Sequence, residues 1–363
     1  MRNILVLGAG VIGSSIAGLL THTGDYSVHL CDNDEAVLKR IGTEIGEQNV
    51  RILCMDAMNQ ADLVRYLKKH PVEAIVSALP YYCNPPIAEM ARELGLHYFD
   101  LTEDVAVTRQ VQRLSQGAKT AFVPQCGLAP GFISIVANEL MTRFDELDTV
   151  KLRVGALPVN PGNALKYSLT WSIDGLINEC GNVCYGIRDG HEVALMPLEG
   201  YETVELDGLQ YEAFNTSGGL GTLANNYDGR VKTLSYKALR YPGHHEKILF
   251  LMNDLKLDKD RETLKRIIEN VIPKTLQDVV LIYVSVIGKR GGELYEEDYV
   301  HKIYPQTIEG KLWSAIQITT AAGLCAVLDL VLSESDLYQG FVAQESFKLN
   351  TFLENRFGQY YRR

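Results

Sequence analysis

Six residues near the start constrain this chain more than any others. Gly8-Ala9-Gly10-Val11-Ile12-Gly13 follows an apolar strand pattern at 3–7 and opens a helical pattern at 11–20. In that setting a G-x-G-x-x-G run marks the first strand-to-helix turn of a dinucleotide-binding βαβ unit. Gly8 permits the tight turn, Gly10 lets the backbone approach a pyrophosphate, and Gly13 allows close helix–strand packing. Val11 and Ile12 fall in the first helical turn, whose N–H groups and partial positive charge suit phosphate. The second strand pattern ends at Asp32, nineteen residues after Gly13. A carboxylate there accepts both ribose hydroxyls of NAD and repels the 2′-phosphate of NADP, so NAD is the expected cofactor.

The rest of 1–124 keeps the same rhythm. Strand patterns at 27–31, 51–54, 73–79, 97–101 and 121–123 alternate with helical patterns at 35–45, 59–69, 87–94 and 105–117. Strands apolar throughout, separated by helices, predict a doubly wound parallel sheet covered on both faces. Asp56 follows the third strand and is expected toward the adenine. Ser77, Ala78, Leu79 and Tyr81 follow the fourth, at the carboxyl edge where such sheets bind ligands. The small residues there suit the nicotinamide ribose, and Tyr81 is a candidate to face the substrate.

After Gly127 the pattern changes. A helix at 132–143 precedes alternating strands at 149–156 and 164–172, turn signals at Asp189-Gly190 and Asp207-Gly208, and a glycine-rich loop at 217–221. Helices at 245–255 and 261–271, then strands at 279–287 and 299–303, complete an α+β domain with a mostly antiparallel sheet. A long apolar helix at 313–331 closes the pattern and is expected to return to the first domain. The predicted division is 1–126 Rossmann domain, 127–310 substrate and dimerisation domain, and 311–363 C-terminal helical segment.

Composition excludes several classes. With 35 Lys and Arg against 45 Asp and Glu, the net charge is −10 and no dense basic run offers itself to nucleic acid. Seven cysteines, with no CxxC pair, indicate neither a disulfide scaffold nor a zinc site. Cys180 and Cys184 are four apart and would share a helical face. His22, His29, His70, His97, His191 and His301 show no metal-ligand spacing, so no metal is expected. No run of about 18 uninterrupted apolar residues predicts a membrane span, and the expected location is cytoplasmic.

The Rossmann start, Cys126-Gly127-Leu128-Ala129-Pro130-Gly131, Leu169-Thr170-Trp171-Ser172 and Leu239-Arg240-Tyr241-Pro242-Gly243-His244 resemble the saccharopine dehydrogenase family over nearly the whole chain, most of all its L-lysine 6-dehydrogenases. The resemblance implies NAD(P)-dependent oxidation of a carbon–nitrogen bond in a lysine-derived amino acid, by a homodimer, with Trp171 and Ser172 near the substrate. One departure stands out: where family members often carry Trp-Ser-Pro-Arg, this chain has Trp171-Ser172-Ile173-Asp174. An arginine able to grip a carboxylate with two hydrogen bonds is missing at 174, which counts against saccharopine.

Amine oxidation by hydride loss needs a neutral nitrogen, and a free lysine amine is almost wholly protonated at pH 7. A base is therefore expected, and Asp100, crowded by Glu103 and Asp104, is the first candidate. Asp104 doubles as a helix cap for 105–117. Cys126 and Gly127 lead to a helix start suited to an α-carboxylate. Arg240 is positioned to replace the missing arginine, and His244 to move a proton. The expected arrangement puts the nicotinamide above 77–81 with Asp100, Trp171, Ser172 and Arg240 around the amine. Competing readings are saccharopine or carboxynorspermidine reduction, and a non-catalytic NAD-binding sensor or scaffold.

Overall fold

A computed structural model describes residues 1–46 and 50–362. The chain divides into two units, Met1–Leu128 with Thr320–Arg363, and Ala129–Thr319.

The first unit runs β1 (Arg2–Leu7), α1 (Val11–His22), β2 (Tyr26–Asp32), α2 (Glu35–Ile45), β3 (Val50–Cys54), α3 (Gln60–Lys69), β4 (Ala74–Ser77), α4 (Asn84–Leu94), β5 (His97–Asp100), α5 (Val105–Leu114) and β6 (Ala121–Val123). Its strands pair in parallel in the order β6-β5-β4-β1-β2-β3. The strand order therefore reverses between β1 and β4, the place where doubly wound sheets open a ligand crevice. Ile4, Leu5, Val6 and Leu7 are shut off from solvent, as expected of a central strand with helices on both faces. Caps fix the helix starts: Asp34 accepts from the Ala36 and Val37 amides, Asn59 from Asp62, and Asp104 from Val107.

The second unit begins with α6 (Phe132–Met141) and β7 (Glu146–Pro158). There follow α7 (Ile173–Gly181), β8 (Cys184–Arg188), β9 (His191–Leu195), β10 (Glu202–Leu206), β11 (Leu209–Asn215), α8 (Leu223–Tyr227), β12 (Val231–Arg240), α9 (His244–Leu249), α10 (Arg261–Val271), β13 (Asp278–Arg290), β14 (Glu293–Ile303), β15 (Gln306–Ile308) and β16 (Lys311–Trp313). The sheet order is β10-β11-β12-β7-β13-β14, with β8 and β9 attached at β12. Only the β12–β7 pairing within it is parallel. Both predicted turns are two-residue hairpins: Asp189 and Gly190, and Asp207 and Gly208, all take positive φ, as a type I′ turn requires.

Helix α11 (Ala315–Ser333) is long and apolar enough to cross a membrane, yet 83% of its most apolar window is buried inside the fold. Its start is held by Asp278 of β13, whose carboxylate accepts from the Ala315 and Ile316 amides. The remainder returns to the first unit: β17 (Gly340–Phe341) adds a seventh parallel strand beside β6, and α12 (Leu349–Glu354) follows.

Three expectations from the sequence are corrected here. No strand forms over 164–172: Lys166 takes φ +51° and turns the chain, and Leu169 makes only an isolated bridge to Lys274. Cys180 and Cys184 share no helix, since Cys180 lies in the last turn of α7, which ends at Gly181, and Cys184 begins β8. Trp313 lies in β16, ahead of the long helix.

Candidate functional site

The first unit carries the nucleotide cradle. Gly8 has φ +95°, and a Cβ on it would lie 2.9 Å from the Ala78 carbonyl oxygen. The turn after β1 thus abuts the backbone leaving β4. A Cβ on Gly13 would fall 1.9 Å from the Gly8 oxygen, so α1 starts as close to the turn as atoms allow. At Gly10 a Cβ would meet nothing within 4 Å. Helix α1 begins at Gly10 with no side-chain cap, and neighbouring Val11 is 54% exposed. An apolar side chain exposed at an uncapped helix start is costly without a ligand to cover it and to take the first-turn N–H groups.

Asp32 closes the cradle. Its Oδ2 accepts from the Ala9 amide at 2.7 Å and its Oδ1 from the Asp34 amide at 2.9 Å. Ser77 donates to Asn84 Oδ1 at 2.7 Å, which orients the chain segment that carries Ala78 and Leu79. Gly8, Gly10, Val11, Ile12, Gly13, Asp32, Ser77, Ala78 and Leu79 thus gather at one sheet edge. These residues fit a dinucleotide: glycines where the backbone must be approached, an open helix start for phosphate, and a carboxylate for ribose. Asp56 follows β3, beside the end of β2 that carries Asp32. It is exposed and accepts from the Met58 amide, a turn contact.

Tyr81 opens a short helical turn, half-buried, with its ring against Tyr82. Asp100 ends β5 with no exposed surface. Its Oδ1 accepts from the Thr102 and Gln125 amides and its Oδ2 from the Tyr98 hydroxyl. Burial raises its pKa to about 6, against the lowering effect of those three donors. As built, the carboxylate ties the ends of β5 and β6 together and presents no atom to solvent. Cys126 is equally enclosed: its thiol donates to the Val123 oxygen, Gln344 Nε2 donates to its sulfur, and burial pushes its pKa well up. Such a thiol stays protonated. The Gly127 oxygen lies 2.9 Å from where a Cβ on Gly323 would stand, so α11 passes against this segment.

The second unit holds a different constellation, centred on Arg240 at the end of β12. Its guanidinium lies within 5.4 Å of the Tyr167 ring centre and donates to Glu179 Oε2 at 3.3 Å. Tyr167 accepts from Trp171 Nε1 at 3.0 Å. Trp171 lies so flat on α7 that a Cβ on Gly175 would come within 2.2 Å of its ring. Ser172 caps α7 by accepting from the Gly175 amide. The His244 ring is 5.5 Å from Tyr167, and its Nδ1 pairs with the Leu165 carbonyl at 2.7 Å. Burial and the nearby Arg240 charge lower the His244 pKa to about 3, so the ring is neutral, with the proton on Nδ1.

Among the buried polar atoms of the second unit that lack a hydrogen-bond partner are Arg240 Nε, His244 Nε2, Thr170 Oγ1 and Thr216 Oγ1, together with Ser134 Oγ and Asn178 Nδ2. Buried polar groups are normally paired, and each orphan costs roughly 1–3 kcal/mol. A donor, an acceptor and two hydroxyls among them are a candidate polar lining for a ligand. Trp171, Arg240 and His244 were legible as site residues; Glu179, Thr216 and the role of Tyr167 were not. The available signal was Asn178-Glu179, two polar residues inside the apolar run 176–180. At the position of the missing arginine, Asp174 accepts from Lys265 Nζ at 2.9 Å.

Comparison with known proteins bears on both units. The profile of the saccharopine dehydrogenase NADP binding domain matches residues 4–123, and that of the saccharopine dehydrogenase C-terminal domain matches 127–355. Among solved structures, apo histidine-tagged saccharopine dehydrogenase (L-Glu forming) from Saccharomyces cerevisiae is similar at TM-score 0.77 and 15% identity, over 97% of this chain and 95% of that one. This is a likeness of fold. A probable dehydrogenase from Thermotoga maritima reaches only TM-score 0.49 at 11% identity, over 97% and 93% of the two chains, and supports no further conclusion.

Proposed function

This chain belongs to the saccharopine dehydrogenase family of NAD(P)-binding oxidoreductases, and from that premise we propose that it is NAD-dependent and oxidises the carbon–nitrogen bond of a lysine-derived amino acid, as an L-lysine 6-dehydrogenase does. The observation that carries the reading is the set of unpartnered polar atoms at Arg240, His244, Thr170 and Thr216. A guanidinium N–H and two hydroxyls suit a single carboxylate. The neutral His244 lends Nε2 as an acceptor for an amine N–H. Trp171 and Tyr167 supply an apolar wall for a methylene chain. Asp174, engaged with Lys265 where a second arginine would be needed, argues for a monocarboxylate over saccharopine.

In the first unit Gly8, Gly10 and Gly13 with the start of α1 would hold the pyrophosphate, and Asp32 the adenosine ribose. Bound there, NAD supplies the hydride acceptor. Asp34 and Glu35 lie two and three residues after Asp32, and this cluster of carboxylates favours NAD over NADP, whose 2′-phosphate it would repel. A neutral His244 with a pKa near 3 accepts a hydrogen bond without being a strong base.

The test is a panel of amino acids and polyamine precursors supplied with NAD, followed by NADH absorbance. Lysine should give turnover and saccharopine markedly less. Equal or greater turnover with saccharopine overturns the substrate assignment, and turnover only with NADP overturns the cofactor.

A further inference from the structure

The buried partner of Arg240 has a consequence for which substrates the second unit accepts. Glu179 is on the last turn of α7 and Arg240 on the last residue of β12, 61 positions apart, and both are nine-tenths or more buried. One arm of the guanidinium goes to Glu179 Oε2 at 3.3 Å, another to the Leu239 carbonyl at 2.9 Å, and only the Nε edge is left without a partner. An arginine held this way cannot present the two-pronged fork that grips a carboxylate from the front. The carboxylate beside it also cancels the net charge that would draw a second anion into a low-dielectric site.

Among the described residues, three cations of the second unit that could compensate are already engaged. Lys265 is taken by Asp174, Lys166 Nζ by the Pro242 oxygen, and Arg261 by Asn178, Asn182 and the Asp258 oxygen.

We propose that Glu179 is the positioning residue that sets substrate charge: by pairing with Arg240 it limits the site to amino acids bearing one carboxylate and turns away those bearing two or three. The inference rests on the functional reading above and deepens it. Removing the Glu179 charge while keeping its shape frees the arginine to meet a further carboxylate.

The experiment compares wild type with Glu179→Gln and Glu179→Asp, each checked for folding by circular dichroism and thermal melting. Lysine, norleucine, 2-aminoadipate and saccharopine are measured as ligands by calorimetry in the presence of NAD and, where they react, by kcat and KM. In E179Q the ratio of monocarboxylate to dicarboxylate affinity should fall at least tenfold. The change should sit in KM and binding, leaving kcat for lysine within a few-fold, and E179D should restore the wild-type ratio. A merely structural role would weaken all ligands together and leave the ratio unmoved, and that result overturns the proposal. Should E179Q fail to fold, the wild type decides: norleucine must bind at least tenfold tighter than 2-aminoadipate, and equal binding refutes the inference. If wild type binds none of the four, the amino-acid reading itself fails. If it binds and oxidises lysine but E179Q keeps the wild-type ratio, only the role of Glu179 is lost.

Discussion

Two residues carry the sharpest consequences of single side chains. Asp32 receives the Ala9 amide of the glycine turn and the Asp34 amide, so it shapes the cradle and, in the proposed reading, would hold the ribose. Asp32→Ala should raise KM for NAD more than tenfold, about 1.4 kcal/mol of binding, read from initial rates at saturating amino acid; an unchanged KM rejects the assignment. His244 contributes to acid stability. Its folded pKa, near 3, lies below its ordinary value of 6.5, so the unfolded chain binds the extra proton. The stability from keeping this ring neutral is complete above pH 6.5 and drains away as pH falls toward 3. Between pH 7 and 5 the loss is about 2 kcal/mol. His244→Asn, which keeps a donor for the Leu165 oxygen, should show that much less acid destabilisation in urea titrations at the two pH values.

At the scale of elements, α7 is where packing and chemistry meet. Ser172 caps it, Gly175 accommodates the Trp171 ring, and Glu179 holds Arg240. Gly175→Ala raises helix propensity by nearly 1 kcal/mol, yet its methyl would overlap the Trp171 ring. The expected result is a displaced Trp171 and weakened amino-acid binding with a melting temperature not raised as the propensity predicts. With two tryptophans in the chain, emission in a Trp313→Phe background reads the displacement directly, and an unchanged spectrum refutes it.

The same helix shows where sequence reading stops. The β-α rhythm of 1–124 was legible because buried parallel strands are apolar throughout and their helices carry local caps, so α2 is found with the bounds that periodicity predicts. The capped, strongly periodic α10 of the second unit was legible for the same local reason. Between 164 and 172, Leu165, Tyr167, Leu169 and Trp171 alternate as a strand would, but they pack into a core against α7, α9 and α10, and the left-handed turn at Lys166 breaks the extended path. Glu179 was invisible for another reason: its partner is 61 residues away and no local pattern announces such a pair. Strand β17, two residues long, is too short to show any period.

The whole molecule follows from a first unit built of two separate stretches. Gly323 meets Gly127 and Tyr361, Cys325 reaches the Ile16 oxygen, and Leu324, Leu328, Val331 and Leu332 are shut away from solvent. Tyr26, Asp329 and Arg356 form a linked cluster that pins the later stretch, with the Tyr26 hydroxyl on Asp329 at 2.5 Å and Arg356 NH2 on the same oxygen at 2.7 Å. Expressed alone, 1–128 would expose the surface those side chains cover. It should be insoluble or molten, with no NAD-dependent rise in melting temperature. Joining 320–363 to it through a short linker should restore both. A well-folded, NAD-stabilised 1–128 fragment rejects this account.

The interrupted first unit also dictates a timetable for synthesis. A ribosome making this chain releases the glycine turn early, but the helix and edge strand that complete its scaffold emerge only after some two hundred intervening residues. If the fragment behaves as predicted, the nascent nucleotide-binding unit stays unfinished while the second unit is translated, and a product that ends before residue 320 lacks the covering helix and edge strand.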